Sequence, residues 1–232
     1  MVKMNKNPYN ICTLDPKSNC ISCKNINKID CKFNKKHTIL SMLVINSFLI
    51  ISLFSLFYIG MITRIWWIPL IYITYILLFF ILIEPRVTCS HCPYYAERRL
   101  RFKCTGNMIT PKIWKYHPEP INKYEKAITF IGFVFLAAFP ILSELFGIWF
   151  LYSNGFNFFN QSFLVLIFIL ISTTLTCIIF YAAFLLLYCP RCINFSCYFN
   201  KVPKIIVDEY LKKNPVIRKA WEKNGYELNI KR

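Results

Sequence analysis

The chemistry of this chain is concentrated in its cysteines. Cys89-Ser90-His91-Cys92 and Cys189-Pro190-Arg191-Cys192 are Cys-x2-Cys turns, Cys104 follows the first, Cys197 follows the second, and Cys20 and Cys23 form a third pair flanked by Cys12 and Cys31. Two thiols separated by two residues can point at one metal ion, so this is the spacing of a thiolate metal site. Cys89, Cys92, Cys189 and Cys192 would close one tetrahedral four-thiolate site, with Cys104 and Cys197 as substitutes or as members of a second. Cys12, Cys20, Cys23 and Cys31 are a further quartet, in a segment too short to bury a core without a metal. Arg98, Arg99, Arg101, Lys103 and Arg191 supply the positive charge that a tetrathiolate centre calls for. Zinc is the first expectation. Four thiolates with short local spacing also hold an iron-sulfur cluster, although neither half shows the Cys-x2-Cys-x2-Cys run of bacterial ferredoxins, and free or redox-active thiols are the third alternative.

The elements that must position these thiols are membrane helices. Of the 232 residues, 56% are hydrophobic, more than a soluble domain of this length needs. Uncharged or nearly uncharged apolar runs cover 39–62, 65–83, 127–152 and 163–188, each long enough to cross a bilayer as a helix. Trp66 and Trp67 open the second run, as suits the membrane-water boundary. Glu84-Pro85-Arg86 is expected to end it, because proline disfavours helical geometry in the residue before it. Pro140 should kink the third run. The sequence thus predicts an all-α membrane protein: a basic N-terminal segment (1–37), a first transmembrane hairpin (38–84), a basic loop (85–126), a second hairpin (127–188) and a cysteine-bearing tail (189–232). Within the tail, 204–213 and 216–224 read as short helices with Gly225 as a C-cap. Each half is two helices followed by a Cys-x2-Cys turn, the pattern of a degenerate tandem repeat.

The charge gives an orientation. The net charge of +17 is carried almost wholly by the N-terminal segment, the central loop and the tail, whereas the connections at 63–64 and 153–161 carry only Arg64. Lysine and arginine are retained on the cytoplasmic side, so both termini and ten of the eleven cysteines are expected to be cytoplasmic. A reducing compartment favours metal or redox use of clustered cysteines over structural disulfides. The same charge suits an anionic lipid leaflet and a cytoplasmic protein partner; nucleic acid is not the expected partner. The chain carries no Walker loop, dinucleotide fingerprint or zinc-protease motif, so ATP-driven transport by it alone is not expected.

Other residues have plainer readings. Glu144, an acid within an apolar run, points to a proton or substrate path, but a position near water or a pairing with Arg64 is the favoured expectation. Asn46 and the hydroxyls from Ser172 to Thr176 fit interhelical hydrogen bonding, and Cys177 fits helix packing. His91, between two cysteines, is a candidate ligand or proton carrier. Trp114 and Tyr116 are expected in the headgroup region.

Four helices with a cysteine-rich loop after the second is similar in plan to the DHHC palmitoyltransferases, but no Asp-His-His-Cys occurs and Ser90-His91-Cys92 departs from it. Four helices with Cys-x2-Cys at the fourth also looks like the vitamin K epoxide reductase class, whose active cysteines face the oxidising side, opposite to the side expected for Cys189 and Cys192. Both likenesses are architectural and transfer no residue roles. The expected function is that of a multi-pass membrane protein with a structural zinc-thiolate site organising an interaction surface. The alternative is a membrane electron carrier or thiol-dependent enzyme, and whether a reaction is catalysed stays open.

Overall fold

The computed structural model describes residues 7–18, 23, 28–106, 110–156 and 160–229, so Cys20 lies outside the described residues. The described chain is helical throughout, and four of its helical spans are long and apolar enough to cross a membrane. Helix α1 (Lys35–Thr63) is capped by Asn34, whose side chain accepts from the Lys36 and His37 amides. It ends at Arg64, which adopts a left-handed conformation, and the chain reverses directly into α2 (Trp67–Leu78). A π-helical turn (Phe79–Ile83) and a short α3 (Glu84–Val87) continue α2, followed by a 3-10 turn at Cys89–His91.

That continuation corrects the expected stop at Glu84-Pro85. The wider π turn lies immediately before Pro85, which sits at the start of α3, where a missing amide costs little. The helical path therefore carries on to the first thiol.

After the loop, Asn122 and Glu125 form a reciprocal capping box that starts α4 (Lys123–Ser153). Asn160 caps α5 (Gln161–Ala183), which passes into a second π turn (Phe184–Tyr188) and then a 3-10 turn at Cys189–Arg191. The tail carries α6 (Lys204–Lys213) and α7 (Pro215–Lys223). Gly225, at φ +82°, closes α7 as expected: the Tyr226 amide reaches back to the Trp221 carbonyl at 3.0 Å.

Two cores result. In the bundle, α1 packs against α2, α4 and α5, and α4 packs against α5. Phe48, Leu56 and Ile59 of α1 meet Tyr72, Leu136, Leu166, Cys177 and Phe180 there, so Cys177 is a packing residue. Leu43, Ile50, Phe54 and Phe168 face outward and are exposed, the pattern of helices that present apolar side chains to lipid. Pro140 cannot bond the Leu136 carbonyl, and the Tyr72 hydroxyl donates to that carbonyl at 2.8 Å instead.

The second core is a cap at the end of the bundle. Ile11 and Ile29 from the N-terminal segment, Tyr94, Tyr95 and Phe102 from the central loop, and Tyr210, Leu211 and Trp221 from the tail form one cluster with Cys89 and Cys92. Segments separated by most of the chain thus share one interior.

Candidate thiol centre

Both Cys-x2-Cys turns are built the same way. A spanning helix widens into a π turn, then tightens into a 3-10 turn whose second cysteine amide bonds the first cysteine's carbonyl, at 2.9 Å for Cys92 to Cys89 and 3.4 Å for Cys192 to Cys189. The turns are docked onto one another by Asn194, whose buried amide donates to the Thr88 carbonyl at 2.9 Å. The N-terminal segment ties both in place. The Asp30 amide bonds the Arg191 carbonyl at 2.8 Å, and the Tyr94 hydroxyl bonds the Asp30 carbonyl at 2.7 Å. The Cys104 loop is held against α1, where Thr38 and Ser41 donate to the Cys104 and Thr105 carbonyls at 3.1 and 2.7 Å.

This docking brings Cys92, Cys104, Cys192 and Cys197 into one electrostatic neighbourhood. Burial pushes the Cys92 thiol well up, and Cys104, Cys197 and Glu84 push it further. Burial likewise raises Cys192, with Cys92, Cys197 and Cys104 adding to it. Cys197 is raised by burial and by Glu84, against amide hydrogen bonds and Lys126. Each thiol disfavours ionisation of its neighbours, and packing around the cap removes the water that would stabilise a thiolate. Thiols in that state are poor nucleophiles unless a cation compensates them.

The outer cysteines differ from one another in their surroundings. Cys89 donates to both Glu84 carboxylate oxygens, at 3.1 and 3.2 Å, and its thiol neighbours are Cys104 and Cys92. Cys189 has Cys197 and Lys201 as its electrostatic neighbours. Cys12 accepts from the Asn214 amide at 3.3 Å, and both Cys12 and Cys31 lie near Tyr210. Cys23 is half-buried. Among the described residues, no three His, Cys, Asp or Glu side chains come together tightly enough to hold a metal ion.

Glu84 and Cys89 open onto a cavity of about 330 Å³ between the cap and the bundle, lined also by Cys104, Asn46, Phe80 and Phe184. Its walls are largely apolar and its polar groups sit together, the composition of a small-molecule site. Glu84 is legible in the sequence only as a helix end, because its contact with Cys89 depends on the break in helical geometry at Thr88.

Several candidates fall away from the thiols. The His91 side chain is buried against the segment that leads into α4, with Nδ1 2.7 Å from the Glu119 carbonyl and Nε2 3.4 Å from the Glu125 carboxylate. Trp114 donates from Nε1 to the Leu82 carbonyl of the first π turn at 3.1 Å, and Arg86 lies over its ring. Tyr116 packs against the cap core beside Tyr9. Lys112, read from sequence only as part of a basic loop, bonds the Tyr95 carbonyl at 2.9 Å and the Glu97 carbonyl, and burial lowers it to about 8. It clamps the turn that follows Cys92.

The chain matches no protein-family model, and neither a curated protein nor a solved structure is significantly similar to it.

Proposed function

We propose that this is an integral membrane protein whose cap holds a structural zinc ion on Cys92, Cys104, Cys192 and Cys197, joining the two halves at the bundle's end and presenting the cap as an interaction surface. What supports it is that Cys104 and Cys197 act electrostatically on both Cys92 and Cys192, one cysteine from each Cys-x2-Cys turn, across an interior joined by the Asn194 bond to the Thr88 carbonyl. The donor set suits zinc: four soft thiolates, with Lys112 near Cys92 and Lys126 near Cys197. A dication would supply the compensation that these crowded thiols lack, and its attraction would gather the sulfurs. In this reading the cap, with the N-terminal segment and tail, is cytoplasmic.

The test is metal content with an absorption spectrum, on full-length protein purified without oxygen. About one zinc per chain and no visible band supports the reading; iron with acid-labile sulfide replaces zinc by an electron-transfer centre; absence of metal removes it. The orientation is tested separately, with cysteines introduced at exposed Arg64 and Lys115. An impermeant thiol reagent applied to intact cells should label the first and spare the second.

A second reading is favoured by one observation. Cys89 and Glu84 stand as a thiol and a base within hydrogen-bond reach, at the wall of a mostly apolar cavity. That arrangement suits thiol-dependent chemistry on an amphiphile, and metal-free protein whose Cys89 alone reacts with a small apolar electrophile would favour it.

A further inference from the structure

Glu144 is fully buried at the centre of the bundle, and the expectation that it reaches water or pairs with Arg64 does not hold: Arg64 is exposed in the connection between α1 and α2. The Thr173 hydroxyl of α5 donates to Glu144 Oε1 at 2.7 Å, while Oε2 has no hydrogen-bond partner. Ser55 of α1 also faces the carboxyl, but its own hydrogen is committed to the Ser52 carbonyl at 2.9 Å. With that bond kept, the Ser55 oxygen can accept a hydrogen bond from a carboxylic O–H at Glu144. Ser52, fully buried one turn earlier on α1, has a hydroxyl with no partner either. The groups that bear on Glu144 are Thr173 and Ser55, and no charged side chain of α1, α2 or α5 is among them.

We propose that Glu144 is an intramembrane proton-binding site: Oε1 accepts from Thr173 and Oε2 carries a proton directed towards Ser55. An ionised carboxylate here would face an apolar interior with one donor and no counter-charge, the costly case for a membrane acid. Release of the proton then requires water or a cation to enter between α4 and its neighbours, so the packing of α1 and α5 on α4 depends on whether the proton is bound. The ligand is the proton; a small monovalent cation on the same oxygens is the competing occupant.

The experiment is infrared spectroscopy of the full-length protein in lipid nanodiscs, as a difference between wild type and Glu144→Gln. The expected result at neutral pH is a protonated-carboxyl C=O band that disappears in E144Q. Thr173→Val, which leaves the acid in place, should move the same band to higher frequency by removing the bond to Oε1. This second variant keeps the test open if E144Q fails to fold. No such band in wild type, or a band unmoved by T173V, overturns the assignment. Loss of the band on adding sodium at fixed pH overturns it in favour of a cation site.

Discussion

The two Cys-x2-Cys turns share one construction and differ in where it delivers them. In the second half the π turn runs directly into Cys189, whereas in the first half Glu84–Val87 and Thr88 intervene before Cys89. The inserted turn gives the first pair a carboxylate partner at the wall of a cavity of about 330 Å³, whereas Cys189 lines only a small apolar one of about 40 Å³. Cys92 and Cys192 nevertheless influence one another electrostatically, because Asn194 fastens one turn to the other. Two turns of equal spacing can thus differ in their outer members, so equal spacing in sequence does not imply equal surroundings.

The largest expected effect breaks the comparison across the inner and outer pairs. Replacing Cys92 and Cys192 together by serine should abolish bound zinc and remove much of the stability it contributes, which for structural zinc is on the order of 10 kcal/mol. Replacing Cys89 and Cys189 together should leave zinc bound. Metal analysis and thermal melts in detergent decide it, and equal zinc loss in both doubles would restore the four-cysteine site that spacing alone suggests. Next in size is Gly132→Ala. A Cβ at Gly132 would collide with the Phe79 ring, which begins the first π turn, and overpacking of this kind costs about 3 kcal/mol. The loss should appear as a lower melting temperature with zinc content unchanged.

These contrasts also mark what the sequence could tell. The four spans, the tail helices and the Gly225 cap were legible, because long apolar runs, a proline after asparagine and a glycine at a helix end act locally. The end of the second span was misread, because the proline rule is local and the π turn that accommodates Pro85 depends on packing against Gly132. Pairing of Cys92 with Cys192 was only partly legible: the spacing named the candidates, but their meeting depends on a buried asparagine bonded to a carbonyl more than a hundred residues away. Glu144 was placed near water because its position in the run was readable while Thr173 and Ser55, its partners on other helices, were not.

Asn194→Ala sharpens the comparison at the joint itself. It removes the Asn194 bond to the Thr88 carbonyl inside the cap and leaves that oxygen with the His91 amide alone, at 3.3 Å, a cost of about 1 kcal/mol. If the joint holds the two turns together, the variant should also lose zinc faster to a chelator than wild type; a change in stability with unaltered chelation kinetics would separate docking from metal retention.

The smallest effect concerns what covers the second turn. Phe195 packs edge-on against Tyr210 of α6, and α6 is held to the chain's end by Asp208, which accepts from Lys204 at 3.0 Å, the Tyr226 hydroxyl at 2.8 Å and the Asn229 amide at 3.3 Å. Burial alone would raise the Asp208 carboxyl, but the bonds from Tyr226, Lys204 and Asn229 outweigh it and hold it below the usual carboxylate range. A carboxyl depressed in the folded state stabilises fully above its unfolded value, near pH ~4, and that contribution fades as the pH falls through the lower folded value. The tail should therefore stay closed at neutral pH and become sensitive to limited proteolysis only on acidification below that point. Asp208→Asn should cost about 1.5 kcal/mol at neutral pH and flatten that acid response. Because Tyr210 of α6 packs on the second turn while the first is followed by Tyr94, which is bonded to Asp30 and not to the tail, acid opening should expose Cys197 to a thiol reagent before Cys92, and simultaneous exposure would mean that the cap opens as one unit.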